Sequence, residues 1–169
     1  MKIFKFGGAS VKDAEGVKNV LSVLKKVGHD DVLLVISAMG KTTNALEVVI
    51  KHYFEKSPEL KASIQEVRKY HNQILLELFE EDKHPVFRAV NVHFEELDYF
   101  LSHNKSPNYN FVYDQIVSLG EVLSTTVVSH YFNWRGLKNQ WIDVRELIKT
   151  DNTYRDAIVD WDLTQKNIK

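Results

Sequence analysis

The chain of 169 residues contains no cysteine, which excludes disulfides, thiolate metal sites and cysteine nucleophiles. With three prolines and seven glycines it has no glycine- or serine-rich linker and no low-complexity segment. Neither sign of charge dominates: 22 Lys and Arg stand against 23 Asp and Glu, which argues against a strongly basic nucleic-acid surface. Long hydrophobic runs are missing too. The longest, Val32-Leu33-Leu34-Val35-Ile36, is far below the ~20 residues needed to span a bilayer, and the opening apolar stretch is broken by Lys5 before it reaches signal-peptide length. These absences predict a cytoplasmic protein with no membrane and no nucleic-acid partner. What is there, 44% apolar and 27% charged residues, suits one globular domain with a real core.

Residues 2–6 read as a short β-strand ended by Gly7-Gly8. Val17, Val20, Leu21, Leu24 and Val27 recur at helical spacing, which predicts a helix over 11–27 with Gly28 as its stop. The continuous apolar run at 32–36 reads as a buried parallel strand. Strand, helix, strand is a βαβ unit with a right-handed crossover. Helical periodicity then dominates, with helices expected at 43–56, 58–81, 85–103 and 110–134; Pro58 and Pro85 suit first-turn positions. Asn139 to Val144 suggest a third strand. Three strands are few for a sheet that should bury both faces, which hints at further strands beyond Lys169.

Three segments have the composition of a site. Lys5-Phe6-Gly7-Gly8-Ala9-Ser10 occupies a βα loop, where paired glycines let backbone N–H groups approach an anion and Lys5 adds an ammonium. A lysine in an apolar strand also carries a desolvation cost that a phosphate would offset. A tight turn with a capping serine explains the same residues equally well. Ser37 to Asn44 follow the second strand; Gly40-Lys41-Thr42 is not a P-loop, because the glycine required five residues earlier is Val35. This loop suits a carboxylate or phosphate, or simple N-capping by Thr42, Thr43 or Asn44. In the long fourth helix, Glu121 interrupts an apolar stripe beside Thr125, and Gly120 costs about 1 kcal/mol relative to alanine, so something should approach closely there. A buried carboxylate at a glycine gap suits an ammonium ligand. Ser118-x-x-Glu121 also fits a capping box that would start a new helix, although the periodicity on both sides favours a continuous one.

The seven histidines show no metal-ligand spacing and read as packing or solvent-facing residues. Glu80-Glu81-Asp82 and Glu95-Glu96 read as solvated helix faces, and Trp134, Trp141 and Trp161 as core or interface anchors.

Together, and in this order, the segments resemble the amino-acid kinase superfamily and, within it, the aspartate kinases. Lys5 to Ser10 match that family's Lys-Phe-Gly-Gly-Thr-Ser except for Ala9. Ser37-Ala38 through Thr43-Asn44 resemble its second loop, and Ser118 to Glu121 its Gly-Glu helix motif. Asp143-Val144-Arg145 with Thr150-Asp151 resemble a later stretch. The resemblance implies an α/β fold, a parallel-sheet αβα sandwich that is truncated here and has a helical insertion between strands 2 and 3. It implies transfer of the γ-phosphate of Mg-ATP to the β-carboxylate of L-aspartate, giving 4-phospho-L-aspartate and ADP, the first step of lysine, threonine and methionine biosynthesis. Carried over by position, Lys5 would be the catalytic cation, with Gly7, Gly8 and Ser10 beside it at the phosphate. Ser37, Thr43 and Glu121 would hold aspartate, Glu121 through the α-ammonium; no residue would hold a resident metal. Members of the family continue into a nucleotide-binding half and regulatory domains and are expected to be homo-oligomers. Residues 1–169 are therefore expected to be the aspartate-binding part of one kinase domain, with little or no activity alone. A kinase for glutamate, N-acetylglutamate or a nucleotide monophosphate, and a non-catalytic amino-acid-binding module, are the competing readings.

Overall fold

In the computed structural model, which describes residues 1–80 and 83–169, β1 (Lys2–Phe6) pairs in parallel with β2 (Val32–Ile36). The register runs from Lys2 opposite Val32 to Phe6 opposite Ile36. Alternation along the strands turns Phe4, Phe6, Leu34 and Ile36 toward the core. The other face is open: Ile3 is 63% exposed, Val35 44% and Leu33 42%. β2 is therefore not buried on both faces as its apolar run suggests, because a helical layer covers the sheet on one side only.

Between the strands, Gly8–Val11 form a 3-10 turn before α1 (Ala14–Val27). The helix starts three residues later than the sequence spacing predicts because its cap is Asp13, whose carboxylate accepts the Gly16 N–H at 2.8 Å. Val17, Val20, Leu21 and Leu24 are buried, whereas Val27 is exposed at the last turn. Gly28 ends the helix at φ +86°, a backbone conformation that favours glycine.

The helical region contains α2 (Thr42–Phe54), α3 (Leu60–Leu78), α4 (Pro85–His103), α5 (Tyr109–Val117) and α6 (Leu119–Trp134). Pro85 takes the first position of α4 as expected, with His84 Nδ1 capping the Val86 N–H. Pro58 instead lies in the turn before α3. α3 ends at Leu78, short of the predicted 81; Glu80 is exposed, and Glu81 and Asp82 lie outside the described residues. Phe94, Phe132, Leu75 and Ile116, all under 2% exposed, form the centre of the core these helices share. Burying each such side chain stabilises the fold by about 1.5–3 kcal/mol.

The predicted fourth helix is two helices, interrupted at Ser118. Ser118 keeps helical dihedrals (φ −58°, ψ −20°), so the chain runs on in nearly the same direction. Its hydroxyl bonds back to the Gln115 carbonyl rather than capping α6, so the capping-box alternative is not realised.

The third strand is not observed: residues 138–143 are irregular, and only an isolated antiparallel bridge joins Thr150 to Val159. The reason is local competition for polar groups. Asn139 exchanges hydrogen bonds with Ser129 and Asn133 on α6, and the Trp141 indole donates to Thr125 Oγ1 at 2.9 Å. The segment is thus tied to a helix, not to a sheet edge. Two short helices, α7 (Val144–Leu147) and α8 (Trp161–Ile168), complete the chain; Trp161 is 73% exposed and is not a core residue.

Candidate active site

Both βα loops leave the same end of the parallel sheet and are bonded to one another. The Ser37 N–H donates to the Phe6 carbonyl at 3.1 Å, and the Gly40 N–H donates to the Gly8 carbonyl at 3.0 Å. Gly8 is required by this contact, since a Cβ there would lie 2.6 Å from the Ala38 carbonyl oxygen. Gly7, by contrast, faces open space with nothing within 4 Å of where a side chain would start. Ser10, exposed, closes the turn through its N–H to the Gly7 carbonyl at 2.9 Å. Lys5 precedes this turn on the open face of β1 and is exposed, so it carries no burial cost. The α1 dipole begins beyond the turn, after the Asp13 cap, rather than at Ser10.

The second loop is held from inside. Met39 and Thr42 are buried, and the Thr42 hydroxyl donates to the Met39 carbonyl at 2.6 Å. Lys41 stands at the N-cap of α2 with no side-chain cap bond, so capping by Thr42, Thr43 or Asn44 is not realised. Thr43 is half-buried at the second position of α2, near the positive end of the helix dipole. Gly40 adopts φ +54°, the left-handed region that favours glycine.

The start of α6 packs directly onto this loop. A Cβ at Gly120 would come within 2.8 Å of the Ala38 Cβ and 3.5 Å of Thr42 Cγ2. The close approach expected at Gly120 is therefore that of the second loop. Glu121 is exposed, not buried as its position on an apolar stripe suggests, because it lies in the first turn of α6 at the protein surface. One oxygen is nonetheless committed: Oε1 accepts the Ala38 N–H at 3.2 Å across 83 residues of sequence. The other oxygen makes no hydrogen bond among the described residues.

Beside the α5–α6 break, Arg145 makes three bonds to the Asp143 carboxylate at 2.6–3.0 Å and reaches the Ser118 hydroxyl at 3.5 Å. The guanidinium holds the Asp143 carboxyl below its ordinary range, and the carboxylate in turn raises Arg145. Two surface hollows, of about 550 Å³ beside α8 and about 370 Å³ along α3, contain none of the predicted site residues. No group of three or more histidine or carboxylate side chains able to hold a metal ion occurs among the described residues.

The model of the amino acid kinase family matches residues 1–168. The chain belongs to that family. Similar curated proteins are aspartokinases. The Chlamydia trachomatis aspartokinase is 27% identical over 96% of this chain and 35% of its own length. Aspartokinase 2 of Arabidopsis thaliana chloroplasts is 32% identical over 89% of the chain and 28% of its own. For the bifunctional aspartokinase/homoserine dehydrogenase 2 of Escherichia coli the values are 26%, 93% and 19%. The fold matches that of E. coli aspartokinase III, solved with lysine and aspartate, at a TM-score of 0.82 and 23% identity, covering 99% of this chain and 36% of the other. A second structure of aspartokinase III, with aspartate and ADP, matches at the same TM-score, at 22% identity, over 98% of this chain and 36% of that one. The chain thus spans about a third or less of the curated relatives it matches.

Within the amino acid kinase fold of this chain, the two loops and the Gly120-Glu121 turn form one contiguous surface at the end of the sheet. Ser37 is half-buried at the exit of β2. Sequence reasoning missed the backbone amide of Ala38, which Glu121 accepts from, and it missed Tyr70 on α3, whose hydroxyl bonds the Lys12 carbonyl. Neither has a sequence signal: one is a main-chain group and the other an isolated aromatic in a helix.

Proposed function

We propose that this chain is the aspartate-binding part of an aspartate kinase domain. The observation that supports it is the junction of the three segments: Gly8 bonded to Gly40, Gly120 against Ala38, and Glu121 bonded to the Ala38 amide. In this reading the Gly7-Gly8 backbone and Ser10 receive the phosphate end of the nucleotide, and Lys5 offsets charge on the transferring phosphoryl group. Ser37 and Thr43 receive the amino acid, and the uncommitted oxygen of Glu121 takes its α-ammonium.

The β-carboxylate of aspartate is ionised at neutral pH and needs no general base. One of its oxygens attacks the γ-phosphorus in line; the new P–O bond forms as the bond to the β,γ-bridging oxygen breaks, and the electron pair leaves with ADP. Such a reaction asks the protein for positioning and charge stabilisation. In this reading magnesium enters with the substrate, as Mg-ATP. The rest of the nucleotide site and the homo-oligomeric assembly lie, in this reading, with sequence that the longer relatives have in addition.

Calorimetric titration of the chain with L-aspartate tests the assignment. Glu121→Gln keeps an oxygen for the Ala38 N–H but loses the charge, so affinity should fall by about 2 kcal/mol, roughly thirtyfold. N-acetyl-L-aspartate, which lacks the ammonium, should not bind to either form. Unchanged aspartate affinity in the variant refutes the role of Glu121. Hydroxylamine trapping of acyl phosphate should detect no turnover by residues 1–169 with Mg-ATP and aspartate; robust turnover refutes the division of the site.

A further inference from the structure

The glycine turn has few anchors of its own. Gly7, Ala9 and Ser10 are exposed, and no described atom lies within 4 Å of where a Cβ of Gly7 would stand. Val11 is fully buried, yet the residues before it are held mainly by the Ser10–Gly7 turn bond and the Gly40–Gly8 bond to the second loop. At the far end of the turn a side chain from a distant helix arrives. The Tyr70 hydroxyl, on α3, donates to the Lys12 carbonyl, 58 positions away in sequence. The same oxygen lies 2.6 Å from where a Cβ of Gly40 would stand, with the Lys12 Cβ 3.5 Å from that point. Gly40 accommodates the phenol because it has no side chain and adopts φ +54°.

We infer that Tyr70 is a positioning residue whose hydroxyl, wedged between the Lys12 carbonyl and Gly40, holds the glycine turn against the second loop. The helical insertion thereby reaches the glycine turn through α3. Burial, followed by the nearby Asp13 carboxylate, raises the phenol above its ordinary pKa, so it stays a donor. The functional part of the inference rests on the phosphate-binding reading of Gly7-Gly8; the mechanical part does not.

Tyr70→Phe removes one oxygen and retains the ring, so the fold is preserved. Amide hydrogen exchange in the 169-residue chain reads the mechanical part: the Gly40 N–H should exchange about tenfold faster, as one lost hydrogen bond allows, while the Leu123 and Val127 amides of α6 stay unchanged. Titration with inorganic pyrophosphate reads the functional part, with affinity expected to fall about fivefold and L-aspartate affinity to change less. Unchanged Gly40 exchange overturns the inference. Faster exchange with unaltered pyrophosphate affinity, or equal losses for pyrophosphate and aspartate, reduces Tyr70 to a structural residue and overturns its positioning role. If the wild-type chain binds no pyrophosphate, the phosphate reading falls, and the exchange data alone decide whether Tyr70 holds the turn.

Discussion

Gly120→Ala tests the close packing of α6 on the second loop. Two effects oppose each other. Alanine in a helix is favoured over glycine by up to about 1 kcal/mol, and less in a first turn such as this. Against that, the new Cβ would stand 2.8 Å from the Ala38 Cβ, well inside the ~3.5–4.0 Å at which carbon atoms pack best. Overpacking of this kind costs about 1–3 kcal/mol. The surroundings offer little relief, because Ala38, Thr42 and Leu46 are all buried. The net expectation is destabilisation by about 1 kcal/mol, which lowers the thermal midpoint by roughly 2–4 °C for a domain of this size. The displacement also lengthens the 3.2 Å bond between Glu121 and the Ala38 amide, so aspartate affinity should fall as well. Ala38→Gly removes the clashing atom, and the double variant should recover most of the loss. A double-mutant cycle by thermal unfolding therefore gives a coupling of about 1 kcal/mol. Additivity of the two substitutions, or a Gly120→Ala variant more stable than wild type, refutes the reasoning.

Acid should weaken the fold through His71, which is fully buried, with Nδ1 at 2.8 Å from the Val67 carbonyl and Nε2 without a partner among the described residues. Burial holds its pKa below the ordinary imidazole value, and His84 and His130 shift the same way, also by burial. The unfolded chain then binds these protons more readily than the folded one, so stability is full above pH ~6.5 and declines as pH falls below it. Urea unfolding at pH 7.5 and 5.5 measures the decline, and His71→Leu should flatten it; an unaltered slope in that variant refutes the assignment. Asp143 shifts downward because of Arg145, so its contribution persists above the ordinary carboxylate range and is lost only as pH falls through ~3.8 and below. Phe94→Ala, at a fully buried position beneath the Arg68 guanidinium at 4.7 Å, should cost about 3–5 kcal/mol in urea unfolding; a loss under 1 kcal/mol contradicts the close packing of this core.

Much of the local structure was legible. Both strands, the Gly28 stop and the full extent of α4 follow from apolar spacing and from proline and glycine chemistry, which act within a few residues. α1 and α3 start later than the sequence spacing predicts, because a cap or turn residue, not the apolar period, sets where a helix begins. The supposed strand after Gly136 failed for a nonlocal reason: its side chains find partners on α6.

The site divides along the same line. Residue types alone singled out Gly7-Gly8, the Ser37–Asn44 loop and Gly120-Glu121 as the candidate site, and they called for a close approach at Gly120, which the packing against Ala38 supplies. Which atoms meet was decided only by tertiary structure: the Gly8 carbonyl with the Gly40 amide, Glu121 with Ala38, and Tyr70 with Lys12. Tertiary structure also decided that Glu121 and Lys5 face solvent. The physical reason is that propensity and capping are local free energies, whereas a contact across 83 residues depends on how whole helices and the sheet pack.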